Sequence, residues 1–452
     1  MYGMPLSQAV VFLAAVVALF VATQWRRFHP FLVIVAIAAA FGYIAGFPTA
    51  QLGSDFGSGF SERIYTPGLV IVASGLIAGL AETSAATDRL KSTIDRWQRF
   101  GSNRMAGILG LIAGIGASPA VAFALLAPLL PAIGGATPPR RQSVTVALAL
   151  AISASHGLLP TPVVIAAVAI LGAEWHRTVL FGLPLAILLV GLGVTFANWT
   201  AIAGAAPKPP AQAPTADAEK RTGGSAIVLL LAIAVPLLLL MFQSVGDIPS
   251  EPLGGGPRRE LILGVGRPLI LFLVGLGIMI VGRPRQGFSL VADPAWTGRI
   301  FGGISSTLLI VCAAGGLQRL CQQTGMAEMI GERMLDWHIG QFGVLIPFLI
   351  AAAMKTLQGS SLVAAITAAG MVQPILLPLG LGDTNGRALA AVAVGIGAMT
   401  ISHINDEYFW LVTQSAGFAP LRGFAAVSVG TLLQGLFAAA ALLLLSILAL
   451  HS

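Results

Sequence analysis

Long apolar runs separated by short polar segments dominate this chain. Apolar runs near 4–23, 30–47, 67–86, 178–200, 225–243, 261–282, 299–317 and 422–450 approach or reach the roughly 20 residues that a helix needs to cross the hydrocarbon of a bilayer. Four longer apolar stretches, 104–135, 143–172, 341–380 and 388–415, are each interrupted by glycine, serine or proline. The pattern predicts an all-α, polytopic membrane protein with about ten crossing helices. Two of the broken stretches, 104–135 and 341–380, are expected to enter and return as re-entrant hairpins.

Composition supports the same reading. Of the 452 residues, 56% are hydrophobic and 10% charged, against about a quarter charged in a soluble domain. Mean hydropathy is +0.88. So few charges cannot cover that much apolar surface in water, whereas lipid removes the need. The 54 glycines suit close packing of membrane helices. The net charge of +7 sits in loops and forms no basic stripe interleaved with aromatics. It is read as topogenic charge, and nucleic acid is not an expected partner. Cys312 and Cys321 fall in or beside one span and give no disulfide framework.

Charge also sets orientation. Arg26 and Arg27 follow the first apolar run and no basic residue precedes it, so it reads as a retained span with its N-terminus outside rather than a cleaved leader. Arg89, Lys91, Arg96, Arg99, Arg104, Arg140, Arg141, Lys208, Lys220, Arg221, Arg283 and Arg285 then share one face with them, the cytoplasmic one. Arg258 and Arg259 fall on the other face. The polar, Pro/Ala-rich segment 205–224 cannot bury a core and is expected to be a flexible cytoplasmic linker. It separates a first half, 1–204, from a second, 225–452. Each half has about five crossing helices and one hairpin in the same order. An odd number inserts the second half upside down, so the halves are expected to be inverted repeats.

The repeat is visible in residues. Gly114-Ile115-Gly116-Ala117-Ser118-Pro119 and Ser155-His156-Gly157-Leu158-Leu159-Pro160 in the first half correspond to Leu357-Gln358-Gly359-Ser360-Ser361 and Ser402-His403-Ile404-Asn405-Asp406 in the second. Unpaired backbone groups cost several kcal/mol each in lipid, so breaks at mid-membrane depth belong to sites covered by protein or water. A helix that starts there presents unpaired amides and a partial positive charge, which suit a carboxylate. The four breaks, at 116–119, 155–162, 358–361 and 402–406, are expected to converge near the midplane on a small organic anion. The candidate binding residues are Ser118, Pro119, Ser155, His156, Thr161, Lys355, Gln358, Gly359, Ser360, Ser361, Ser402, His403 and Asn405.

Ionisable residues inside spans are few and therefore informative. His156 and His403 hold matching places, and Asp406 follows His403. These three are the candidate proton carriers, because histidine titrates near neutral pH and burial disfavours a charged carboxyl. Asp406 could instead serve with Asn405 as a helix cap. Lys355 could complement a substrate carboxylate, or snorkel from a hairpin end. Glu407 could face the outer vestibule, and Glu82 and Asp88 are read as interfacial. Trp25, Trp97, Trp175, Trp296 and Trp337 near span ends read as an aromatic belt. The chain carries no Gly-Lys-Ser/Thr phosphate loop, no His-Glu-x-x-His pattern and no Gly-x-Ser-x-Gly elbow. Ser155 and His156 are adjacent, so on a helix their side chains diverge. A transporter is expected rather than an enzyme, without metal or cofactor.

At these residues the sequence resembles the gluconate permease family of sugar-acid:proton symporters, within the broader ion-transporter superfamily. The carrying segments are Ala113-Gly114-Ile115 with Pro119, Ser155 to Pro160, Gln358-Gly359-Ser360, Thr367-Ala368-Ala369-Gly370, and Ser402 to Asp406 with Phe409-Trp410-Leu411-Val412. The resemblance spans roughly 65–450. It departs at Lys355, where the family usually has arginine. It departs around Ser118 to Val121, usually aromatic with a glutamate, and after Pro160-Thr161-Pro162, where Val163-Val164 replace a histidine- and proline-rich continuation. The resemblance implies proton-driven uptake of a gluconate-like sugar acid or other carboxylate across a bacterial inner membrane, by alternating access. It also implies a homodimer in which a scaffold domain lets a transport domain move. A sodium-coupled carboxylate carrier of the same superfamily, and a channel or structural membrane component, remain the alternatives.

Overall fold

The computed structural model describes residues 5–24, 28–84, 86–96, 101–116, 118–135, 137–202, 225–248, 251–325, 328–329, 332 and 342–450. The linker expected over 205–224 lies outside the described residues, as do Trp25, Trp97 and Trp337. Among the described residues every regular element is a helix.

In the first half, α1 (Pro5–Gln24) and α2 (Pro30–Ile44) precede α3 (Thr49–Arg63) and α4 (Leu69–Glu82), which together are long enough for one span and are kinked at Thr66, where φ −138° and ψ 116° are not helical. After α5 (Ala86–Arg96), α6 (Ser102–Ala113) stops before α7 (Pro119–Leu126) and α8 (Leu130–Gly134). Next, α9 (Pro138–Leu158) breaks before α10 (Pro162–Leu171), and α11 (Trp175–Ile202) closes the half. The second half opens with α12 (Ala226–Gly246), the bent pair α13 (Pro257–Val265) and α14 (Pro268–Val281), α15 (Pro284–Ala292) and the long α16 (Pro294–Gln323). It continues with α17 (Leu345–Gln358), α18 (Ser361–Val372), α19 (Thr384–Gly397), α20 (Glu407–Ser415), α21 (Pro420–Gly423) and α22 (Val429–Leu450). Proline opens α2, α7, α9, α10, α14 and α16, where the helix has no use for its missing N–H.

Among the described residues six helices are long and apolar enough to cross a bilayer, and the α13–α14 pair, bent by 58°, makes a seventh if counted as one span. The chain is a multi-pass membrane protein. The remaining apolar helices, including α2, α17 and the stretches Pro119–Gly134 and Ser361–Ile375, are shorter. The span expected at 67–86 begins instead at Thr49. Its first part, α3, carries Ser54, Asp55, Ser58, Ser61, Glu62 and Arg63, polar enough to hide it from hydropathy. It is helical because it packs along α16. Trp296 does not stand in an aromatic belt: it is 4% exposed and lies where a Cβ on Gly79 of α4 would touch it. Of the basic pair expected on the outer face, Arg259 has local partners. Arg259 is 3.4 Å from Glu251 and 4.0 Å from Asp247 and donates to the Gly246 carbonyl, so its charge is offset.

The packing places two helix crossings on glycine. α3 meets α16 at Gly59 and Gly315, and α9 meets α19 at Gly157 and Gly395. At the second crossing each glycine lies against the other's carbonyl oxygen, an approach that a side chain would prevent. α9 also packs on α6 and α11, α19 on α17 and α22, and α10 on α18 and α19. The two broken helices are thereby held together at the centre of the molecule.

Gly395→Val should drive a methyl group into the Gly157 backbone, which cannot rotate away. Overpacking of this kind costs roughly 1–3 kcal/mol or more. We expect loss of the monodisperse peak in size-exclusion chromatography and a lower thermal midpoint. Gly191→Ala, at a position with no atom near the added Cβ, should leave both unchanged. A normal profile for Gly395→Val would refute the crossing.

Candidate functional site

Four helices begin inside the molecule, each behind a side-chain cap. Ser118 Oγ accepts from Val121 N (3.4 Å) at the start of α7, and Thr161 Oγ1 from Val164 N (3.5 Å) at the start of α10. Ser360 Oγ accepts from Val363 N (3.3 Å) at α18, and Asp406 Oδ1 from Tyr408 N (3.0 Å) at α20. Cap side chains take one of the amides that a first turn leaves unpaired. First-turn residues of all four helices line a single cavity of about 330 Å³, through Ser118, Pro119, Pro162, Val163, Ser360, Ser361, Asp406 and Tyr408. Four helix dipoles therefore present their positive ends to one space.

The opposite, carbonyl-bearing ends are closed by the broken helices. Ser155 Oγ donates to the Leu111 carbonyl in the last turn of α6 (2.6 Å). His403 Nε2 and Asn405 Nδ2 both donate to the Thr356 carbonyl at the end of α17, at 2.8 and 3.1 Å, and Asn405 also reaches Leu357 O at 3.2 Å. Thr161 Oγ1 donates to His156 O (2.6 Å) across the α9–α10 break. Gly359 turns out of α17 at φ +79° against the Asn405 backbone, a conformation open to glycine and strained for other residues. Ser155, Thr161, His403 and Asn405 accordingly hold the breaks rather than line the cavity. His403 also packs against Phe12 of α1, ring centroids 5.9 Å apart. Gln358 is buried outside the lining and donates to the Glu328 carboxylate. Ser118, Pro119, His156, Lys355, Gly359, Ser360, Ser361, Ser402 and Asp406 do line it.

Lys355 neither snorkels nor stands alone. It is 3% exposed, its ammonium 2.6 Å from Asp406 Oδ2, and it also donates to Gly359 O. Ser402 Oγ donates to the same Asp406 oxygen at 2.6 Å. Asp406 thus caps α20 with one oxygen and holds Lys355 and Ser402 with the other. A buried pair of this kind survives only because further hydrogen bonds complete it.

The other wall of the cavity comes from α3, α16 and the start of α20, and sequence reasoning missed most of it. Glu62, Arg63, Arg319, Gln322 and Glu407 line this side. Arg63 donates to Gln318 Oε1 at 2.6 Å, and its nitrogens lie 3.7 Å from Glu407 and 3.5 Å from Glu62. Glu407 therefore faces the cavity rather than an outer vestibule. One signal was available. Gly59-Phe60-Ser61-Glu62-Arg63 and Gly315-Gly316-Leu317-Gln318-Arg319 match in glycine, acid or amide, and arginine, inside segments that hydropathy treats as a loop and a span end.

Comparison with known proteins finds relatives along nearly the whole chain. A gluconate permease of Pseudomonas aeruginosa is 26% identical over 411 residues, 89% of each chain. The D-serine transporter DsdX of Escherichia coli is 25% identical over 428 residues, 93% of this chain and 94% of its own. The Gnt-II system L-idonate transporter of the same species is 24% identical over 433 residues, 94% of each. Among solved structures, the Alcanivorax borkumensis YdaH transporter aligns over 92% of this chain and 95% of its own at 15% identity and a TM-score of 0.38, too distant to carry an argument. The family model described as GntP family permease matches residues 6–448, nearly the whole sequence, and the chain belongs to the GntP permease family.

Proposed function

We propose that this permease is a secondary carrier that takes up a small hydroxylated carboxylate, together with a proton, across a bacterial inner membrane. The observation that carries the reading is the meeting of four helix N-termini at one cavity. Such ends bind anions without a dedicated cation. Ser118, Ser153, Ser360, Ser361 and Ser402 line the same space and suit a ligand with hydroxyl groups. The relatives are named for gluconate, D-serine and L-idonate, each a molecule with a carboxylate and at least one hydroxyl.

Charge balance supports the proton. Arg63, Arg319 and Lys355 face Glu62, Asp406 and Glu407 in the lining, so cations and carboxylates cancel. An anion entering alone leaves the cavity negative in a low-dielectric setting, which is costly. A proton on Asp406 removes that excess and loosens its hold on Lys355 and Ser402. The two halves, as inverted repeats, would then expose the site to each face in turn. We include in the proposal the homodimer that the family resemblance implies.

Proteoliposomes with independent pH and Na⁺ gradients test the coupling. Uptake of labelled gluconate should follow the pH gradient; dependence on Na⁺ at fixed pH would establish the sodium-coupled alternative instead. Asp406→Asn keeps the cap on Tyr408 N but leaves the buried Lys355 ammonium without its carboxylate, so its thermal midpoint should fall as that of Lys355→Met does. In the folded fraction gradient-driven uptake should fall to background while counterflow persists. Uptake at the wild-type rate would remove Asp406 from coupling.

Lys355→Met should leave Asp406 buried without its ammonium and lower stability by roughly 3–5 kcal/mol, seen as a reduced thermal midpoint. The Lys355→Met/Asp406→Asn double variant should regain most of that loss. Equal midpoints for wild type and Lys355→Met would show that the pair carries no such weight.

A further inference from the structure

The arginines of the repeated Gly-x-x-Glu/Gln-Arg pattern stand at the wall of the cavity, and the charge balance above does not distinguish them. The geometry around them is reciprocal. A Cβ on Gly59 would lie 2.7 Å from Arg319 Cβ, and a Cβ on Gly315 would meet the Arg63 side chain and, at 2.7 Å, the Gly59 carbonyl oxygen. Each arginine stem rests on the glycine of the opposite helix, and both arginines line the cavity.

Their partners differ. Arg63 is held by Gln318, Glu407 and Glu62. At the place matching Glu62, the second pattern has the neutral Gln318, whose oxygen already serves Arg63. Among the described residues no carboxylate lies within ion-pair distance of Arg319, and its buried Nε has no hydrogen-bond partner. A guanidinium on a cavity wall with no protein carboxylate beside it leaves its charge for an anion, and its fork of donors matches a carboxylate with two parallel hydrogen bonds.

We infer that Arg319 is the residue that binds the substrate's carboxylate, and that Glu407 and Gln318 hold Arg63 back so that one arginine of the repeated pair takes the ligand. The assignment rests on the anion-carrier reading above and adds to it the group that recognises the charged end. It also gives the acid-to-amide change between Glu62 and Gln318 a role: a glutamate at 318 would offer Arg319 a carboxylate of the protein in place of one from the ligand.

Isothermal titration on the purified full chain tests it, with D-gluconate, L-idonate and D-serine as probes and sorbitol as the uncharged comparison. Wild type should bind at least one probe and not sorbitol. Arg319→Gln keeps the Cβ and Cγ that pack on Gly59, and should weaken that probe roughly 10–100-fold without lowering the ligand-free thermal midpoint. Arg319→Lys keeps the charge without the fork and should fall between the two. Wild-type affinity in Arg319→Gln, or in Arg319→Lys should the glutamine variant not fold, overturns the assignment alone. A wild type that binds none of the probes overturns the anion-site reading and the assignment with it.

Discussion

A peptide group cannot be left without a hydrogen bond in hydrocarbon, and the centre of this molecule is organised around that constraint. A helix that stops inside the membrane exposes amides at one end and carbonyls at the other. Here the two kinds of end are treated differently. The carbonyls that close α6 and α17 are taken by Ser155, His403, Asn405 and Lys355. The amide ends of α7, α10, α18 and α20 receive one cap each and otherwise face a common cavity. Side chains satisfy the negative ends and space is left at the positive ones. That asymmetry makes the site suited to an anion before any charged residue is considered.

Charged residues then refine it. Lys355 and Asp406 neutralise each other beside the α18 and α20 starts, while Arg63 and Glu407 do so across from them. The α9–α10 break supplies no such pair: Thr161 caps α10 as Asp406 caps α20, and Pro162 follows it where Glu407 follows Asp406. The breaks are thus unequal in chemistry, with Lys355, Asp406 and Glu407 all beside the second-half ones. The same holds along the α3–α16 crossing, where the pattern repeats but Glu62 becomes Gln318.

The departures from the family pattern take on meaning in this setting. Where the family usually carries arginine, Lys355 is enclosed by Gly359 O and Asp406, a pocket whose donor is a compact ammonium. Around Ser118 the lining is small and hydroxylic. Gly116 fits there only because it lies against the backbone of Leu240 and Met241 in α12, so the tip between α6 and α7 is held by close backbone contact.

Hydropathy and the four glycine-, serine- and proline-marked breaks were enough to foresee an all-helical membrane protein and the positions where its helices stop. Those are local properties, since an apolar run must find lipid or protein and a proline or capping serine acts within one turn. The sequence also named Asp406, Lys355 and Ser360 as neighbours of a site. What it did not reveal is which polar side chains face the cavity and which face a carbonyl. His403 and Asn405 lie three residues and one residue before Asp406 yet serve Thr356 and Leu357, and nothing in their local sequence separates the two roles. Nor did it reveal α3 as a helix, because its polar residues are stable there only against α16, more than 200 residues away in the chain. Arg63 and Arg319 reach the cavity through that crossing. Their place was decided by the close approach of two glycines on distant helices, which exists only once the chain has folded.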